Sequence, residues 1–161
     1  MDKSALRDAI LQQLREELAR QTTAAELARD EAISEESQPE NKWDTHSQEA
    51  AYLAEGQAKQ VAEIRAAIEA YGTLPLPTFG ANDLIALGAI VEVETGSDGR
   101  GSWYFLGPRA GGLEVVVAHR PILVLTPQSP VGRQLIGRRV GDTVQSAGRG
   151  ISLHQKIVAV E

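Results

Sequence analysis

The chain has 161 residues and a mass of 17.3 kDa, room for one ordinary domain or two small ones. It has no cysteine, which excludes disulfides and thiolate metal sites, and His46, His119 and His154 are too widely spaced to suggest a zinc centre. A net charge of −6 weighs against direct phosphate binding, which rests on clustered Lys and Arg.

No apolar run reaches the roughly 20 residues that span a bilayer, and the first twenty residues alternate charges with leucines rather than forming a signal-peptide core. The expectation is a cytoplasmic protein with no membrane association. The averages hide a division. Residues 1–72 carry 15 Asp/Glu against 8 Lys/Arg, a net of −7, whereas residues 73–161 carry 7 against 8, a net of +1. Of the 15 glycines, 14 lie from Gly72 onward, as do six of the seven prolines. Glycine and proline punctuate helices, so the first half can form long helices and the second cannot. Two domains are expected, 1–74 and 75–161.

From Ser4 to about Ile33 the chain is rich in Ala, Leu, Glu, Arg and Gln, all good helix formers. Leu11, Leu14, Leu18, Gln21, Ala25, Ala28 and Ala32 recur three and four residues apart, the spacing of a coiled-coil seam. Ala50, Ala54, Gln57, Val61, Ile64, Ile68 and Tyr71 repeat it between Ser47 and Tyr71. In an antiparallel hairpin the numbers of facing residues have a constant sum. Leu11 with Ile68, Leu14 with Ile64, Leu18 with Val61, Gln21 with Gln57, Ala25 with Ala54 and Ala28 with Ala50 all sum to 78 or 79. The midpoint falls on Pro39, a natural helix breaker. Two arms of about 30 residues, rising 1.5 Å each, would project about 45 Å. Alanines in the distal half predict close helix approach, and the Gln21 and Gln57 amides are placed to bond each other.

The turn, residues 34–46, is acidic. Glu35, Glu36, Glu40 and Asp44 lie within ten residues, with Lys42 as the only cation and Trp43 among them. Carboxylates are hard oxygen ligands suited to Mg²⁺, and an aromatic side chain without a core to enter suits a partner contact. A solvated acidic turn on a dimerisation stalk is the plainer reading of the same residues.

Beyond Gly72 the apolar pattern changes to short β-type runs. Residues 89–94 alternate, a glycine-rich connection follows, and 102–107 return as a paired strand. Residues 113–119, 121–126, 140–144 and 152–161 supply the other runs of an antiparallel sheet of about five strands. Residues 129–137 read as a short helix, with Ser129 as N-cap, Pro130 at the first helical position and Gly137 past the end. The fold class is α+β. No nucleophile elbow, P-loop or dinucleotide motif is present. Arg133, Arg138 and Arg139 make a basic patch at the short helix, suited to an acidic protein partner.

The run ILVLTPQSPVGRQLIGRRVGDTV, residues 122–144, resembles the C-terminal signature of bacterial Gre transcription elongation factors (GreA/GreB). Ser129-Pro130, Gly132-Arg133, Leu135-Ile136-Gly137 and Gly141-Asp142 carry the match. Domain order is similar too: an antiparallel coiled coil, then an FKBP-like globular domain. The resemblance implies a factor that is not itself an enzyme. Its globular domain would dock on RNA polymerase through Ser129, Pro130, Arg133, Arg138 and Arg139, and its coiled coil would enter the secondary channel. There tip carboxylates would help hold a Mg²⁺ shared with the polymerase, near the nascent RNA 3′ end, so that backtracked RNA is cleaved. The usual Gre tip, close to G-D-L-[SK]-E-N, is replaced here by SQPENKWDT. Alignment through the second helix sets Glu40 on the first acidic position and Trp43 on the second, with Asp44 next. Glu40 and Asp44 become the metal-assisting pair, Glu36 a reserve, and Trp43 a partner contact.

Two other readings remain. A secondary-channel regulator or inhibitor without cleavage would share every partner and differ only at the tip. A prolyl isomerase with a dimerisation stalk would need an aromatic-lined pocket, for which residues 73–161 offer Phe79, Trp103, Tyr104 and Phe105. Independent DNA binding is not expected from an acidic coiled coil without a basic stripe.

Overall fold

The computed structural model describes residues 1–33, 46–95, 100–148 and 151–161. Two long helices, α1 (Lys3–Ile33) and α2 (His46–Gly72), precede strands β1 (Ile90–Thr95), β2 (Arg100–Leu106), β3 (Glu114–Val117) and β4 (Arg120–Leu125). A short helix α3 (Pro130–Leu135) and strands β5 (Thr143–Gly148) and β6 (Ile151–Val160) complete the α+β chain. Two compact units emerge, Gln12–Glu69 and a larger one joining Met1–Leu11 to Ala70–Glu161. No described helix is long and apolar enough to cross a membrane.

In the helical unit the expected seam is the least exposed stripe. Leu14, Ala28, Val61 and Ile64 are buried, and Leu18, Gln21, Ala25, Ala54, Gln57 and Ile68 are half-buried. Ala67, outside the seam pattern, is buried as well. The amide pairing differs from expectation. Gln21 Nε2 donates to Glu17 Oε1 at 2.6 Å, one turn back on its own helix, while Gln57 Oε1 is buried with no hydrogen-bond partner among the described residues. A carboxylate is a stronger acceptor than a neutral amide, and the i,i+4 spacing on one helix brings it within reach. The Gln21 amide and the Arg20 guanidinium, the latter at 2.6 Å, hold the Glu17 carboxyl below its usual range. Towards the alanine half, Thr22, Ala25, Glu26, Arg29, Ala54, Ala58 and Val61 line a groove of about 300 Å³.

The larger unit is built on one six-stranded sheet of order β3-β4-β2-β1-β6-β5. Adjacent rungs Ile90↔Phe105 and Val91↔Tyr104 point to opposite faces, as the period-two pleat requires. Val91, Val93, Tyr104 and Leu106 form a core on one face with Ile85, Leu125, Leu135, Val144, Ile157 and Val160. On the other, the Tyr71 ring lies 6.4 Å from Phe105, and its hydroxyl donates to the Arg109 carbonyl at 2.9 Å. Burial pushes the Tyr71 phenol well above its usual range. Leu6, Ile10 and Tyr71 are fully enclosed within this unit. Gln155, buried in β6, donates from Nε2 to Thr95 Oγ1 at 3.0 Å.

Three features of the sheet differ from expectation. The sheet has six strands and is mixed, because β2 and β4 pair in parallel, Trp103↔Ile122 through Leu106↔Leu125. Side-chain alternation fixes a strand's faces but not its direction. About a dozen residues separate β2 from β4, the length a parallel crossover needs, and β3 lies within that connection. The apolar run 113–119 stops as a strand at Val117. Ala118 (φ 50°) and His119 (φ 63°) then turn the chain into β4 without a glycine. Finally, β5 begins at Thr143, and Gly141 and Asp142 form the turn before it.

Candidate docking site

The segment 126–142 is held by backbone and side-chain bonds that account for most of its unusual residues. Ser129 Oγ donates to the Thr126 carbonyl at 2.8 Å and accepts from Gly132 N at 3.0 Å, which is the N-cap of α3. Pro130 follows at the first helical position, where a missing N–H costs nothing. A Cβ on Gly132 would collide with the Thr126 carbonyl and the Ser129 hydroxyl, so only glycine fits. Leu135 drops from α3 into the core. Asp142 Oδ2 accepts from Arg139 N at 3.1 Å and closes the turn before β5. Gln134, also on α3, pairs with β5 as a strand would: Nε2 donates to the Gln145 carbonyl and Oε1 accepts from Gln145 N, both at 2.8 Å.

This scaffold brings the residues 129–139 of the basic patch into one region. Arg133 lies in the last turn of α3, and Arg138 and Arg139 follow directly. All three side chains are exposed and make no ion pair or side-chain hydrogen bond among the described residues. Ser129 and Pro130 have structural work in shaping the helix, with Pro130 exposed. Glu36, Glu40, Trp43 and Asp44, the candidates at the hairpin turn, lie outside the described residues. Among the described residues no group of three His, Asp or Glu could hold a metal ion.

Sequence reading missed the apolar part of this region. Leu84 is 58% exposed, and Leu87 and Ile136 are each 41% exposed. The signal was present as two Leu-Ile pairs. At 84–85 the isoleucine enters the core, at 135–136 the leucine does, and each neighbour is left outside.

The family model described as transcription elongation factor, GreA/GreB, C-terminal, matches residues 80–161, just over half of the chain. Among solved structures the chain is similar to GreA factor homolog 1 (Gfh1) of Thermus thermophilus, at 20% identity over 94% of each chain with a TM-score of 0.39. It is similar to Gfh1 of Thermus aquaticus at 22% identity, over 98% of this chain and 92% of that one, with a TM-score of 0.39. A GreA/GreB factor from Nitrosomonas europaea aligns at 20% identity over 65% of this chain and 78% of its own, with a TM-score of 0.40. No curated protein matches. The family match spans the whole sheet, α3 and the segment 126–142, and the chain belongs to the GreA/GreB family of transcription elongation factors.

Proposed function

We propose that this chain acts through the secondary channel of RNA polymerase and stimulates cleavage of backtracked RNA. Family membership supports an RNA polymerase partner. The helical arm carries the finer reading. In the helical unit, residues 12–33 and 46–69 flank the acidic turn, and 22 residues of α1 alone rise about 33 Å, enough to deliver a tip to a recessed site. In this reading residues 1–74 are the delivery arm with its tip at 34–46, and residues 75–161 dock at the channel mouth. Ser129, Pro130, Arg133, Arg138 and Arg139 contribute to that docking, and Trp43 contacts the partner near the tip.

Glu40 and Asp44 would supply carboxylate oxygens to a Mg²⁺ in the polymerase active centre. Such hard donors suit Mg²⁺, which takes one or two carboxylates and keeps the rest of its shell for water and substrate. The factor contributes ligands and position, and the polymerase performs the hydrolysis. In a purified backtracked complex with Mg²⁺, added protein is expected to shorten the RNA from its 3′ end. Glu40→Ala with Asp44→Ala should slow that cleavage about 10–100-fold, as loss of supporting ligands does. Undiminished stimulation by the double variant would overturn the assignment of these carboxylates.

Trp43 on the second acidic position favours a second reading, a channel-binding regulator that does not stimulate cleavage. The same assay separates the two. A regulator leaves the RNA at full length while competing for the polymerase.

A further inference from the structure

An open sheet has two edges, and each edge strand carries backbone groups that no neighbouring strand satisfies. In the order β3-β4-β2-β1-β6-β5 the edges are β3 and β5, and the chain treats them differently. At β5 the Gln134 side chain takes both the N–H and the C=O of Gln145, which closes the middle of that edge from within the chain. At β3 the strand is Glu-Val-Val-Val, in unbroken register with β4 from Glu114↔Leu123 to Val117↔Arg120. No proline, lysine or bulge guards it, and Val116 is 63% exposed.

Antiparallel neighbours exchange hydrogen bonds at every second residue. Val124 N donates to the Leu113 carbonyl at 2.8 Å, which sets the phase. Val115 with Ile122 and Val117 with Arg120 are then the bonded pairs, and Glu114 and Val116 turn their N–H and C=O away from β4 to the open side. Pro121 agrees with this phase, since it lies opposite Val116 in a pair that needs no N–H. A second β3, antiparallel about a two-fold axis at Val115, matches these groups completely. Glu114 of each copy faces Val116 of the other, and every outward donor meets an acceptor. The Glu114 stem then lies beside the exposed Val116, and no like charges stand directly opposite. A two-fold axis at Val116 would instead oppose Glu114 to Ala118, whose φ of 50° is not that of a strand. Residues 73–161, which include β3, carry a net of only +1, so two copies meet here without the repulsion expected between arms of net −7. We propose that β3 is a self-association edge, at which two copies of this chain pair antiparallel through the backbones of Glu114 and Val116 and join their sheets into one. Neither the arm nor the basic patch takes part.

So short a strand makes a weak contact, so the test spans about 10 µM to about 1 mM of the full chain, by sedimentation and by amide hydrogen exchange. The Glu114 and Val116 amides are expected to exchange fast in dilute solution and to slow as dimer forms, while those of Val115 and Val117 stay slow throughout. Val116→Pro deletes the outward N–H without touching a bond to β4, and an edge strand tolerates proline. It should weaken association at least about tenfold, because it removes one bond from each copy's side of the pair. Val116→Thr keeps the backbone and should stay within about threefold of wild type. Thermal melting checks that each variant is folded. Glu114 and Val116 amides that exchange equally fast at every concentration would overturn the proposal without help from any variant. Association that Val116→Pro leaves intact, or that Val116→Thr weakens as much, would also overturn it, because backbone pairing requires the two to differ. Protection of these amides that appears only when RNA polymerase is added would overturn the second copy as occupant and give the edge to that partner.

Discussion

Tyr71 shows how much one side chain can organise. Its ring is fully buried near Phe105, and its hydroxyl reaches the Arg109 carbonyl in the connection between β2 and β3. Gly107 in that connection is where the phenol passes, since a Cβ there would meet the hydroxyl. Tyr71→Phe keeps the ring and deletes one buried hydrogen bond, so it should cost about 1–2 kcal/mol in denaturant unfolding. An unchanged midpoint would mean that the hydroxyl holds nothing. The heptad pattern had assigned Tyr71 to the coiled-coil seam, because periodicity reports that a residue is buried without saying against what. Ser129 was more legible. An N-cap followed by proline is a local chemical arrangement, and the cap appears as read. Gln21 was less so, because a pattern of facing residues does not weigh the carboxylate one turn away on the same helix.

At the scale of elements, both long helices, α3 and the apolar strands could be read from composition and period. Pairing direction could not. A run such as 121–126 has the same alternation whether its neighbour runs with it or against it, and the parallel β2·β4 pair follows from where the connection leads. The β3–β4 turn escaped for a different reason. Two-residue hairpin turns with both residues at positive φ usually announce themselves as Asn-Gly, and here Ala118 and His119 take those angles. Each L-residue in that region costs about 1–2 kcal/mol, partly offset by the lower flexibility of the unfolded chain. Ala118→Asn with His119→Gly is therefore expected to stabilise the chain by about 1 kcal/mol, raising the thermal midpoint by about 2–4 °C. A lowered midpoint would show that Ala118 and His119 contribute contacts worth more than their strain. The exposed Leu84 and Ile136 were illegible for a related reason: in a Leu-Ile pair, composition does not say which member faces the core.

For the molecule as a whole, the proposed function gives different work to an arm of net −7 and a near-neutral sheet region. Under the proposed function, docking raises the effective concentration of the tip at the polymerase active centre, and the tip acts only after that. Damage to the two parts should then appear in different kinetic quantities. A weakened basic patch lowers occupancy, so a variant combining Arg133→Glu, Arg138→Glu and Arg139→Glu should need at least about tenfold more protein for half-maximal cleavage. Its rate at saturation should match wild type, because an occupied site still receives an intact tip. Glu40→Ala with Asp44→Ala should do the reverse, lowering the saturating rate about 10–100-fold at an unchanged half-saturating concentration. The tip variant should consequently inhibit wild-type cleavage in a mixture, at the concentration where it occupies half of the polymerase. A patch variant that lowers the saturating rate would mean that docking also positions the tip, and the separation of roles would fail.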